Sequence, residues 1–144
     1  MRIFVFVFVA SMLPAFFQSR DCDTLEKCQA ATQAAPYSSL AHYRMGEILF
    51  KMENPSECNT GHPLPCKYYQ SAANQFRRAL DGDLDPKWVE VWAFIYLGKI
   101  FDASGQRERA LQQYRRALQT KDNTRSAQDE AAKYMTSPFR NSSN

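Results

Sequence analysis

The chain has 144 residues, is 44% hydrophobic and 23% charged, and carries a formal net charge of +3. That length holds one domain, and the balance of apolar to charged residues excludes a disordered chain. The charge is too weakly basic to argue for nucleic acid, and no Lys/Arg block or aromatic stacking pattern adds to that case.

Residues 1–19, MRIFVFVFVASMLPAFFQS, read as a signal peptide: Arg2 gives a positive start and 3–17 an apolar run. The run falls short of the roughly 20 residues that span a bilayer but suits the core of a secretory signal. Cleavage after Ser19 would leave Phe17 at the −3 position, where a small residue is preferred. A short uncleaved anchor and a buried structural helix are the alternatives. No later stretch is apolar and long enough to span a membrane, so no stable span is expected once the signal is removed. A secreted or periplasmic location then fits the four cysteines, Cys22, Cys28, Cys58 and Cys66, because an even number in an exported chain reads as disulfides.

In chain order, 22–34 form a first helix and 39–52 a second. The stretch 53–67 is rich in Pro and Gly and contains ECNTGHPLPC at 57–66. A third helix covers 69–80. Asp85-Pro86 is a helix opening, with Asp as N-cap and Pro in the first turn. The helix that follows, KWVEVWAFIYLGKIFDAS, is apolar on nearly all sides and is expected to be buried between neighbours. Gly105 stops it. Residues 107–120 are amphipathic, with Ala110, Leu111, Tyr114, Ala117 and Leu118 at helical spacing. Asn123 or Thr124 can cap a last helix over 124–135, which would cover an end of the array. The tail 137–144 reads as disordered, and Asn141-Ser142-Ser143 fits a glycosylation acceptor.

Two of these helices are near copies, YQSAANQFRRAL at 69–80 and RERALQQYRRAL at 107–118. Small residues (Gly98, Ala110, Ala117) stand where bulk would hold two helices apart, and Phe94, Leu97, Phe101 and Tyr114 fill the space beside them. This alternation resembles the tetratricopeptide repeat, a helical hairpin of about 34 residues. Phe94, Leu97-Gly98, Phe101, Gly105, Ala110, Tyr114 and Ala117 match the family pattern in order and spacing, while Asp122 replaces its final Pro. Met45-Gly46 and Leu49 stand 52 residues before their counterparts, but Ala72, Phe76 and Ala79 only 38 before theirs, so the first copy carries a 14-residue insertion. His42 replaces its aromatic. Cys28, Ala31 and Pro36 fit the second helix of a half-repeat.

The resemblance implies an all-α fold, a short tetratricopeptide α-solenoid of about six helices in antiparallel hairpins, spanning 20–136 after the signal. Its parts are a half-repeat at 22–36, repeat one at 39–84 with the insertion at 53–67, repeat two at 86–122 and the capping helix. It also implies a non-catalytic module that binds a peptide or protein segment on a concave groove. Transferred by position, that groove holds Leu40, Tyr43, Glu47 and Phe50 from repeat one, and Trp92, Ile95, Tyr96, Lys99 and Asp102 from repeat two. The family's basic clamp for acidic C-terminal tails is not expected, because Tyr43, Glu47 and Tyr96 stand where it needs Lys or Asn. No cofactor is implied.

Other chemistry is thin. Cys58, His62 and Cys66 could hold zinc with Cys22 or Cys28, against a disulfide that ties down the insertion. Cys22 and Cys28 cannot bridge within one helix, where six residues rise about 9 Å against a limit near 7 Å. Their bond needs Cys22 to lie before the helix and fold back. Cys22–Cys28 with Cys58–Cys66 is the first choice of pairing, and bonds crossing from the N-terminal helix to the insertion are the second. His42 reads as a packed helix residue. With no GxSxG, HExxH or phosphate loop, no enzyme is expected. Arg77-Arg78 and Arg115-Arg116 recur on equivalent helix faces as a possible convex basic stripe. A structural subunit of an envelope complex or homo-oligomer, and metal binding through the insertion, are the alternative functions.

Overall fold

Thr24 opens the first helix: its Oγ1 accepts the Lys27 N–H at 3.2 Å, and α1 (Leu25–Ala34) follows. The computed structural model describes residues 22–53 and 66–140. The signal segment 1–19, Cys58 and His62 of the insertion, and the glycosylation acceptor at Asn141 lie outside the described residues. Cys22 lies just before α1 and is bridged to Cys28, with Cα atoms 4.7 Å apart. That is the fold-back arrangement this bond requires. Cys66 is also disulfide-bonded.

Five further helices follow: α2 (Ser39–Met52), α3 (Lys67–Leu80), α4 (Trp88–Ala103), α5 (Arg107–Gln119) and α6 (Ala127–Thr136), the last preceded by a 3-10 turn at Thr124–Ser126. No strand occurs among the described residues. Ser38 caps α2 by accepting the Ala41 N–H at 3.3 Å. The loop before α4 caps it a second time: Asp83 Oδ1 accepts the Ser39 N–H at 3.0 Å, and Ser39 Oγ accepts the Leu84 N–H at 2.8 Å. Gly82 makes that approach possible, since a Cβ there would stand 2.6 Å from both the Tyr37 carbonyl oxygen and Ser39 Oγ. Asp85 does not cap α4 as expected. Its N–H is donated to Asp83 at 3.1 Å, and α4 begins at Trp88 without a side-chain cap. The acidic residue of this loop that caps a helix is Asp83, and the helix is α2.

Glu53, at the end of α2, accepts the Tyr69 N–H at 2.8 Å and so satisfies a backbone donor in the first turn of α3. Gly105 (φ +70°) ends α4 in a Schellman turn, with the Gln106 N–H donated to the Phe101 carbonyl at 2.8 Å. Asn123 Oδ1 reaches over the 3-10 turn to accept the Gln128 N–H at 2.9 Å, so it serves α6 from a distance.

Each helix packs on the next in the chain, and α4 also meets both α2 and α6. Glu53 pairs with Tyr69 and Gly46 with Phe76, an antiparallel register; Gly98 over Tyr114 and Asp102 beside Arg107 repeat it for α4 and α5. The α4 helix is buried nearly all round, as its composition demands. Val89, Ala93, Leu97 and Ile100 join Tyr43, Leu49, Tyr69, Ala72, Phe76 and Ala79 in one core, while Val91 and Ile95 join Ala117, Ala127 and Ala131 in a second. The two copied helices thus sit in equivalent places, α3 against Gly46 and α5 against Gly98.

Candidate functional site

Helices α2, α4 and α6 run parallel: Tyr43 meets Trp88 and Phe50 meets Tyr96 between α2 and α4, while Trp92 meets Thr124 and Lys99 meets Glu130 between α4 and α6. Their shared face is lined by residues one or two turns apart, which is why sequence spacing can nominate them. At one end, Glu47 gathers three donors. Its Oε1 accepts the hydroxyls of Tyr43 at 3.2 Å and Tyr96 at 3.3 Å, and its Oε2 takes the Arg44 guanidinium at 3.1 Å. Burial, with the Glu47 charge next, pushes both tyrosine hydroxyls well above their ordinary titration range. They stay neutral donors.

The middle of the face is aromatic. Tyr96 stacks on Phe76 with ring centroids 4.9 Å apart, and Phe50 meets it edge-on at 5.0 Å. Trp92 stands 6.4 Å from Tyr96 and donates its indole N–H to the Thr124 carbonyl at 3.0 Å. Phe50, Trp92 and Tyr96 are all half-buried.

Lys99 forms the third part. Its Nζ bonds Glu130 of α6 at 2.8 Å and lies 5.2 Å from the ring centres of Tyr96 and Tyr134, and 5.5 Å from that of Phe139. Burial works against the Glu130 carboxylate, but the hydrogen bond and charge of Lys99 outweigh it and hold its pKa below the ordinary value. One turn on, the buried Asp102 carboxylate accepts from Arg107 at 3.0 Å, from the Tyr114 hydroxyl at 2.9 Å and from the Phe139 backbone N–H at 2.8 Å. Arg107 also donates to the Tyr134 and Met135 carbonyls at 2.8 and 2.9 Å, so Asp102 and Arg107 fix the end of α6.

Of the nine groove residues expected from sequence, five share this face: Glu47, Phe50, Trp92, Tyr96 and Lys99; Asp102 is buried at its end, and Leu40 packs against the core. Tyr43 lies beneath it, only 1% exposed, and acts through Glu47. Ile95 does not belong to it. It is fully buried and packs with Val91, Ala117, Ala127 and Ala131, because α6 lies over the side of α4 that Ile95 occupies. Sequence reasoning misses Glu130 and Tyr134 of α6 and, above all, Phe139. The tail reads as disordered from residue 137, yet Phe139 is half-buried, 6.0 Å from the Phe50 ring and 5.6 Å from Tyr134. Its only sequence signal is a single Pro-Phe in an otherwise polar tail.

On the opposite side, Arg77, Arg109 and Arg116 line a cleft of about 490 Å³ with Phe94, Leu97 and Phe101. Arg109 lies 4.5 Å from the Phe101 ring centre and Arg116 5.7 Å from that of Phe94, while Asp81 brings a negative charge into the same cleft. His42 is buried, its ring nitrogens 2.8 Å from Gln75 Oε1 and 2.9 Å from the Pro36 carbonyl oxygen. The zinc set loses Cys66 to a disulfide, and Cys22 and Cys28 to each other. No group of His, Cys, Asp or Glu among the described residues could hold a metal, and none of their helices is long and apolar enough to cross a membrane. No known protein family, curated protein or solved structure matches the chain.

Proposed function

We propose that the chain is an exported, disulfide-stabilised tetratricopeptide domain that binds an extended segment of another protein on the face of α2, α4 and α6, without catalysis. The observation that carries this reading is the run of half-buried aromatic residues Phe50, Trp92 and Tyr96 beside Lys99, across the parallel helices α2 and α4. Aromatic side chains flanked by fixed polar groups are what binding hot spots are made of. The repeated closeness of Gly46 to Phe76 and of Gly98 to Tyr114 supports the family reading. The Cys22–Cys28 bond is compatible with an oxidising location. Both alternatives are weaker. Metal binding through the insertion lacks three of its thiolates. Among the described residues no broad apolar patch marks an oligomer edge, since Tyr37 and Met52 are the large apolar side chains left exposed there.

Panning a phage-displayed random peptide library on the purified chain tests this. Enriched peptides should lose binding to Phe50→Ala and Tyr96→Ala chains and keep it with Arg109→Ala in the opposite cleft. No enrichment, or peptides indifferent to the two aromatic substitutions, contradicts the reading.

A further inference from the structure

Phe139 is not on the helical array; it comes back onto it. After α6 ends at Thr136, Ser137 and Pro138 are exposed, and the chain reverses so that the next ring enters the binding face. That ring touches Phe50 of α2, Lys99 of α4 and Tyr134 of α6, one contact from each of the three helices. Its backbone N–H goes to Asp102, the buried carboxylate that already serves Arg107 and Tyr114. A side chain anchored by an aromatic slot and a main chain anchored by a fixed acceptor are the two elements by which a groove recognises an extended peptide.

Resting on the peptide-binding reading above, we propose that the groove's ligand is an extended segment centred on an aromatic residue, and that the chain's own tail occupies the site in the absence of a partner. The partner's ring takes the place of Phe139 between Phe50, Tyr134 and Lys99, and its N–H replaces that of Phe139 on Asp102. A proline before the aromatic, as Pro138 stands before Phe139, favours the extended backbone and lowers the entropy lost on docking. Arg140 is exposed, so the residue after the aromatic is not selected by burial. The two sources of such a segment differ only in connection. A tethered tail acts at a high local concentration, about millimolar for a short linker, so a free peptide that binds the empty groove at about 100 µM should bind the intact chain roughly tenfold more weakly.

The probe is a fluorescently labelled peptide of sequence TSPFRNSSN, residues 136–144, read by polarisation against three chains: intact, Phe139→Ala, and Phe139→Ala with Phe50→Ala. Circular dichroism confirms that each is folded, and a chain ending at Thr136 serves as a second vacated form. The Phe139→Ala chain and the shortened chain should bind at least tenfold tighter than the intact chain, and Phe50→Ala should remove that gain. The same peptide with Ala in place of its Phe should not bind. Equal binding to intact and vacated chains, or none to either vacated form, overturns the proposal. In that case the library selection on the vacated chain separates the two ideas. Groove-dependent peptides without an aromatic centre leave the groove standing with another ligand class, and no groove-dependent peptide removes both.

Discussion

Tyr114 lies across the backbone of Gly98 so closely that a β-carbon on Gly98 would stand 2.6 Å from its Cζ and 2.7 Å from its Cδ1. Phe76 lies across Gly46 in the same way, with its Cε1 2.8 Å from where a β-carbon would be. The two contacts seat the two copied helices, and they hold Lys99 and Glu47, one position beyond each glycine, at a fixed height on the shared face of α2, α4 and α6. Packing and site share these positions.

Gly98→Ala should therefore destabilise the fold by about 1–3 kcal/mol through overpacking, even though alanine is the better helix former. Gly46→Ala meets a less crowded ring and should cost less. Urea denaturation of both variants measures the order; a Gly98→Ala chain as stable as the parent would contradict it.

Asp102, on α4, joins α5 and the tail through one buried carboxylate and reaches the end of α6 through Arg107. Replacing it with Ala leaves Arg107 without its partner, and removal of one member of a buried pair costs about 3–5 kcal/mol. The loss should fall at the low end, because Arg107 is 28% exposed and still reaches two carbonyls. Hydrogen exchange should report it locally, with the Phe139 amide and the last turn of α6 losing protection first.

Ile95 and Tyr96 are neighbours with different work. Ile95→Ala opens a cavity among Val91, Ala117 and Ala131 and should cost about 2–5 kcal/mol without changing which peptides bind. Tyr96→Ala should cost binding most. Thermal melts and peptide titrations of the pair measure the separation.

The Lys99–Glu130 pair gives the fold an acid limit. The folded pKa of Glu130 lies below its ordinary value of 4.5, so its stabilising contribution is fully present above that pH and is lost as pH falls through the depressed folded value. Glu130→Gln should flatten that part of the melting profile. Tyr134 behaves oppositely. Burial first, then the Glu130 charge, pushes its hydroxyl up to about 12, so the stability it adds is present below its ordinary value of 10.0 and disappears above the raised one. Melting temperature followed from pH 3 to 7 for the parent and Glu130→Gln checks the acid side.

Much of the array can be read from residue types. The spacing of Ala72, Phe76 and Ala79 and of Ala110, Tyr114 and Ala117 locates α3 and α5, and the unbroken apolar run of α4 announces a helix with neighbours on several sides. The six-residue separation of Cys22 and Cys28 requires one of the two to lie outside regular helix, as Cys22 does just before α1. Long-range contacts are less legible. Nothing local tells Asp83 to cap α2 rather than Asp85 to cap α4, because the choice depends on Ser39, 44 residues away in sequence. Helical position alone puts Ile95 on the groove, without allowance for the width of α6 beside it. Phe139 is hidden by its polar surroundings. Its order comes from one buried carboxylate and from side chains supplied by three other helices, and tail composition carries no trace of those.

The most direct test of the account is amide chemical-shift mapping of the labelled nonapeptide TSPFRNSSN on the ¹⁵N-labelled Phe139→Ala chain. Shifts should concentrate at Phe50, Trp92, Tyr96, Lys99, Asp102 and Tyr134 and spare α3. Shifts gathered instead around Arg77, Arg109 and Arg116, or none at saturating peptide, would contradict a binding site on α2, α4 and α6.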